Sequence, residues 1–485
     1  MLTRLSTFFY GAALVTLPWV GVGLMKITTG RDWGGGLQPA WLFLALALLC
    51  AGLDRLGRGP LRQAMTVDIP RHLGRWWLLG SVAISLSVLI SIAGLRLAPA
   101  GESLDATLGR FVKQSIQLAI MVVFVVWPAL WTRGRHRWVW TVKLLLIGGI
   151  IQVAYGVLQG LNYYHPLAAF GWMETIFTSN PSILSGSGEL YLGDSFRNVP
   201  RLRGTVCEPL YLGNFLLFLL PWTLMPVWSV RTRRLVAGAL VFLLLGTWSR
   251  GAWLGLMGQT ILTAGLVFSL RSIAGPDLVR CGRRKFKLVV MGVGVLLAVV
   301  PLVGLATGWE GLLFPYRRLA QTFSGQDWSN LTRIYSMQAA WRAFLLSPIL
   351  GIGWGQFGWH FATLVDPMGL QSQFTWPVVS NFPLLILCET GLVGFMVFIG
   401  WSLGLVRAIL SRVSALLRPP AAEVSTLQSG HLLIAATVSV AGVWLQLLTF
   451  SQYNLPHIWV SVGLLLAMLA EVDSGPPAGR KESRA

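Results

Sequence analysis

The chain has little charge, few acids and few residues of the kind that hold metals. Only 12% of its 485 residues are charged, about half the share that a soluble surface carries. A soluble multidomain protein is excluded by that figure, and a disordered chain by the 54% of hydrophobic residues beside it. The four cysteines, Cys50, Cys207, Cys281 and Cys388, have neither zinc-ribbon nor disulfide-framework spacing. They are expected to be packing residues of membrane helices. The six histidines form no HExxH-like pair, and no acidic cluster suits a divalent cation, so neither metal nor cofactor is expected. Nucleophile elbow, Rossmann fingerprint and phosphate loop are absent too. No internal repeat is evident, and the connection after the sixth apolar run is the short RTRR stretch at 231–234. Both features argue against a carrier built from two related halves.

What the chain does have is apolar length. Mean hydropathy is +0.65, and apolar runs fall at 8–26, 38–54, 76–95, 114–132, 138–160, 209–230, 235–249, 251–270, 287–307, 382–406, 430–450 and 456–471. The expectation is an all-α polytopic transmembrane helical bundle of about 12 helices, one membrane domain over 1–475 with a cytoplasmic tail at 476–485. The N-terminal run lacks a small-x-small cleavage site and reads as the first membrane helix. The net charge of +20 tests the topology. With the N-terminus inside, the inner connections collect 25 Lys and Arg against seven acids, and the outer side 13 against eleven. That is the positive-inside asymmetry, and it accounts for the basicity through anionic membrane lipids, leaving no role for nucleic acid. Two outer segments are long enough to work in: 161–208, and 308–381 between the ninth and tenth crossings, the latter partly helical.

Three stretches carry candidate chemistry. Thr247-Trp248-Ser249-Arg250-Gly251 sits at the break between two apolar runs, and an arginine at or below the membrane surface is a functional residue by default. Arg201-Leu202-Arg203-Gly204-Thr205-Val206-Cys207-Glu208-Pro209 ends an outer loop and opens a helix, with Pro209 suited to its first turn. Both helix N-termini then present free N–H groups and a positive dipole to one compartment, a setting for phosphate. The plainer alternatives are that Arg250 snorkels to lipid phosphate and that Arg203 pairs with Glu208. In the long loop Arg333 and Arg342 lie nine positions apart, half a helical turn, so one faces a site and the other does not. Gly351, Gly353 and Gly355 read as a flexible turn. Glu389 is an intramembrane acid expected to be hydrogen-bonded within the bundle, and His360 and His165 are outer histidines.

Taken in order, RLRGTVCEPLYLGNF (201–215), TWSRGAWLGL (247–256), LTRIYSMQAAWRAFLLSPILGIGWGQF (331–357) and SNFPLLILCETGLVGF (380–395) resemble the O-antigen ligase and polymerase family of bacterial surface-glycan assembly. The resemblance covers roughly the second half of the chain. It implies a metal-independent glycosyltransferase that takes a polyprenyl-diphosphate-linked glycan donor and a glycan acceptor at the periplasmic face of the inner membrane. A flippase and a chain-length regulator are its expected companions. It gives Arg203 and Arg250 the diphosphate, and Glu208, close in sequence to Arg203, is the candidate base. Arg201, Arg333, Arg342, Asn381 and His360 are assigned to substrate binding. Ligases of the family usually carry His before the Asn that starts the tenth crossing, where this chain has Ser380-Asn381, and Glu208-Pro209 resembles the Glu-Pro of polymerases. A polymerase of lipid-linked repeat units into a surface polysaccharide or exopolysaccharide is therefore expected. The ligase, transferring glycan to lipid A-core or protein, is the first alternative and a lipid-linked glycan flippase the second.

Overall fold

The computed structural model describes residues 1–30, 38–57, 86, 87, 89, 91–95, 103–132, 134–178, 201–271, 328–365, 377–416 and 424–471. The apolar run at 287–307, most of the run at 76–95 and the tail at 476–485 lie outside the described residues. The architecture is all-α. In chain order the helices are α1 (Leu2–Val15), α2 (Leu24–Thr29), α3 (Pro39–Gly57), α4 (Leu104–Trp131), α5 (Arg135–Tyr164), α6 (Ala168–Phe177) and α7 (Pro209–Leu219). They continue with α8 (Val230–Gly246), α9 (Arg250–Arg271), α10 (Trp328–Leu346), α11 (Phe357–Leu364), α12 (Phe382–Leu416), α13 (Val424–Gln446) and α14 (Pro456–Glu471). A 3₁₀ turn, Leu220–Leu224, extends α7.

Four of these helices are long and apolar enough to cross a membrane: Pro39–Gly57, Leu104–Trp131, Arg135–Tyr163 and Phe382–Ser414. Several others are shorter than the apolar runs that announce them. The first run stops at α1, because Pro18 cannot supply the N–H that a further turn needs. Pro221 likewise converts the end of α7 to 3₁₀ geometry, and the two pieces together reach about 26 Å. Helix α8 begins earlier than its apolar run. Ser229 Oγ accepts the Thr232 N–H at 3.2 Å, so the RTRR stretch forms the first turn instead of a loop. Arg233 there donates to the Leu224 carbonyl at 2.8 Å, satisfying an end of the preceding turn.

The centre of the molecule is α7. All its residues except Leu210 are buried, as expected of a helix that is apolar all round. Helices α13, α9, α8, α5 and α14 pack against it. Polar side chains stitch this core: Asn214 donates to the Val443 carbonyl and to Gln446, its carboxamide oxygen meets His457 Nε2 at 2.9 Å, and Gln259 donates to the carbonyls of Leu217 and Val438. Such bonds hold helices together where no water competes. Because α7 is fixed so tightly, whatever precedes Pro209 is held at one end of the bundle.

Helix α12 is broken at Gly391, whose φ of 66° lies in the left-handed region. The segment 348–353 fills the break. Leu392 N–H donates to the Pro348 carbonyl, while Ile352 and Gly353 N–H donate to the carbonyls of Cys388 and Glu389. A Cβ on Gly351 would stand 2.4 Å from the Glu389 backbone, which is why glycine is required. Non-helical backbone at this depth is tolerated because protein buries it. The glycine turn is thus a docked loop held by backbone hydrogen bonds, contrary to the flexible turn expected from the sequence.

Candidate active site

The site end of the bundle is built on one face of α5. Gln152, Tyr155 and Gln159 recur there at helical spacing, and two of them bind the loop that leads into α7. Gln159 Oε1 accepts the N–H groups of Arg203 and Gly204 at 2.9 and 3.3 Å, and Gln152 Oε1 accepts that of Thr205 at 2.9 Å. On the other side, Leu202 N–H donates to the Gly246 carbonyl at 2.8 Å and Arg201 Nε to that of Thr247 at 3.2 Å. Gly204 turns the chain between these supports. Its φ is 60°, and a Cβ would come 2.3 Å from Gln152 Oε1, so the glycine of the Arg-Gly pair is doubly required.

Arg203 is turned inward, 3% exposed. Its Nη1 donates to the Val206 carbonyl at 3.0 Å, and its guanidinium is ion-paired with Glu174 of α6, which also accepts the Tyr155 hydroxyl. The pairing of Arg203 with Glu208 considered from the sequence gives way to this one. Glu208 stands at the N-terminus of α7 without capping it, and its side chain is exposed. Protein nonetheless crowds it closely enough to raise its carboxyl above the ordinary range through loss of hydration, while Arg201 and Arg333 pull it back. Glu208 is thus an accessible acid near enough to Arg201 and Arg333 for their charges to act on it.

Arg250 enters from the break between α8 and α9. Trp248 takes a positive φ of 50°, a strained conformation for a bulky residue, and Ser249 Oγ accepts the Ala252 N–H at 3.4 Å. Arg250 follows at the first position of α9, 7% exposed, and its Nη2 donates to Asn330 Oδ1 at 2.9 Å. Asn330 and Arg333 are three apart on α10 and so share a side of it. One face of that helix therefore meets Arg250 through Asn330 and carries the Arg333 charge that acts on Glu208. The next turn on the helix brings Ser336, whose hydroxyl accepts the Ser380 N–H at 3.1 Å and lies 3.0 Å from the Ser380 hydroxyl.

Three candidates lie elsewhere. Arg342 points from the opposite side of α10, exposed, and donates to the Leu364 carbonyl at 2.7 Å. Asn381 is engaged in structure: its Oδ1 accepts the Leu384 N–H at 2.9 Å, capping α12, and its Nδ2 donates to the Leu448 carbonyl at 3.0 Å. His360 is buried in α11, and burial pushes its imidazole down to about 4, so it is neutral near pH 7. Glu174 and Asn330 are not among the candidates that the sequence suggests. Neither has a local signature, though the two glutamines seven apart in an apolar run mark α5 as a helix with a polar duty.

A second polar locus lies two turns into α12. Glu389 accepts the N–H groups of Gly355 and Phe357 at 2.9 and 3.1 Å, and Arg110 Nε donates to the Gly355 carbonyl at 2.8 Å. The amides of Gly355 and Phe357 are thereby taken by the carboxylate instead of facing a phosphate. Among the described residues no three His, Cys, Asp or Glu side chains converge as a metal site would require.

Comparison with curated proteins gives no match. Residues 235–399 match the family model described as O-antigen ligase, a stretch that runs from α8 into α12 and takes in Arg250, Arg333, Arg342, His360 and Asn381. Arg201, Arg203 and Glu208 precede it, and Arg333 within it acts on the charge of Glu208; this helical membrane chain is similar to the O-antigen ligase family across the segment that carries Arg250 and Arg333.

Proposed function

We propose that the chain is a membrane glycosyltransferase that polymerises polyprenyl-diphosphate-linked oligosaccharide units at the periplasmic face of the inner membrane. The observation that carries this reading is that Arg250 is tied through Asn330 to the side of α10 that bears Arg333, whose charge acts with that of Arg201 on the exposed Glu208. The match to the O-antigen ligase family supports a lipid-linked glycan as substrate. The reading takes 1–475 as a single membrane domain that includes the loops 161–208 and 308–381.

The chemistry follows from charge. An acceptor sugar hydroxyl attacks the anomeric carbon of the donor, the bond from that carbon to the diphosphate oxygen breaks, and its electron pair leaves on the diphosphate. Arg250 and Arg203, aided by Arg201 and Arg333, offset the negative charge that builds on those oxygens at a poorly hydrated boundary. Glu208 takes the hydroxyl proton, a task for which a carboxylate of raised basicity is suited. The products are a longer glycan and free polyprenyl diphosphate. Diphosphate is a good leaving group, so the fixed cations carry more of the rate than the base does.

The family description itself favours a second reading, transfer of the finished glycan to lipid A-core or protein. Ser380 stands where such ligases usually carry histidine, and a serine hydroxyl cannot accept a proton near neutral pH. Purified protein given only lipid-diphosphate repeat units separates the two. A polymerase yields a ladder of longer lipid-linked chains, whereas a ligase leaves those units unextended until a different acceptor is added.

A further inference from the structure

Arg203 poses a problem that the proposed reaction does not answer. A guanidinium 3% exposed is costly to bury without a counter-anion, and in the empty protein that anion is Glu174. The carboxylate is shared: one oxygen faces Arg203 and the other accepts the Tyr155 hydroxyl. The two partners differ in freedom. Arg203 is fixed through its own N–H on Gln159 and its Nη1 on the Val206 carbonyl. Glu174 is more accessible, at 18% against 4% for the arginine side chain, and it rides on α6, a helix of ten residues. Among the described residues that helix is held by the rings of Phe170 and Phe177 against Tyr155, Trp19 against Phe177, and the Gly23 N–H on the Ile176 carbonyl. A diphosphate brought to Arg203 would meet the charge of Glu174 at contact distance, where like charges repel strongly in a poorly hydrated site.

We propose that Glu174 is a stand-in anion, a positioning residue whose carboxylate holds Arg203 in the empty protein and yields it to the diphosphate of the substrate. The inference rests on the diphosphate reading above and adds a competitor to it. Two consequences have opposite signs. Without Glu174 the empty protein loses the counter-ion of a buried arginine and is less stable. The diphosphate no longer has a competing charge to displace, so it binds more tightly.

The test uses the full chain in discs of net-neutral lipid, with inorganic pyrophosphate as the probe. Glu174→Gln is expected to lower the Tm of the empty protein, to tighten the Kd for pyrophosphate by about tenfold, the size of one pK unit of like-charge repulsion, and to recover the lost Tm at saturating probe. Tyr155→Phe removes one hold on Glu174 but keeps both charges, so it should move Kd the same way by less, and it decides the matter if Glu174→Gln does not fold. A merely structural pair would lower Tm and leave Kd alone. Unchanged affinity in these variants, with binding lost in Arg250→Ala, overturns the stand-in role and leaves the diphosphate reading intact. Absence of pyrophosphate binding in wild type and variants alike overturns that reading and this inference with it.

Discussion

Two acids, Glu208 and Glu389, each stand beside an arginine and a turn that needs glycine, and the fold treats them in opposite ways. Glu389 is 3% exposed and accepts two backbone N–H groups, while Arg110 binds the same loop from its other side. The carboxylate and the guanidinium there are committed to holding 351–357 in the break of α12. Glu208 is exposed, caps nothing, and is flanked by Arg201 and Arg333. The difference shows how one set of residue types serves two purposes. An acid whose lone pairs are filled by the chain's own amides is an anchor. An acid left accessible among cations is available to a substrate, and its cost to the fold is the raised basicity that burial imposes.

That comparison is most exposed to failure at Arg250. Arg250→Ala should lower transfer by about 30- to 1,000-fold, the loss of about 2–4 kcal/mol of charge stabilisation. Arg342→Ala, on the far side of α10, should stay within about threefold of wild type, as for a surface charge. Ladder formation from lipid-linked repeat units by both variants, purified and shown to be folded, checks the pair. Equal losses would mean that α10 does not present one functional side.

Glu208→Gln should slow extension by about 100-fold, the low end of what a general base supplies. In wild type the rate should rise with pH as Glu208 loses its proton, through a value above the ordinary carboxylate range, and that acid limb should vanish in the variant. The stability sign is opposite to that of an anchor. A carboxyl whose folded pKa is raised favours the folded state while protonated, and that contribution is lost as pH rises from its unfolded value through its folded one. A neutral amide escapes the loss, so melting at neutral pH should show Glu208→Gln no less stable than wild type.

Glu389→Ala should do the reverse, costing stability by about 1–3 kcal/mol for each orphaned N–H group. Its melting temperature in lipid discs should fall, and activity per folded molecule should fall only as far as α10 shifts. The smallest effect belongs to His360. Its imidazole is held down to about 4, so it contributes stability above its ordinary value that is lost as pH falls from there towards 4. His360→Phe should therefore soften acid destabilisation, by about 1 kcal/mol at pH 5.5. Melting curves between pH 7 and pH 5 measure it, and an unchanged slope would place the acid sensitivity elsewhere.

Composition and short-range pattern determined the class of this protein. Low charge and repeated apolar runs require helices that satisfy their own backbone in lipid, and that holds whatever the partners are. Local chemistry also placed several site elements correctly: the helix starting at Pro209, the break before Arg250, and the half-turn that sets Arg333 and Arg342 on opposite sides of α10. Helix ends were less legible. Proline in a run, or a serine before a basic stretch, moves a boundary by several residues without changing hydropathy, as α1, α7 and α8 show. Only the tertiary structure decided who partners whom. Arg250 finds Asn330 eighty residues away, Arg203 finds Glu174 in preference to the nearby Glu208, and Glu389 takes amides more than thirty positions before it. Charge and hydrogen-bond capacity are written in each residue, but which lone pair meets which donor depends on how helices pack, and spacing along the chain carries no record of that.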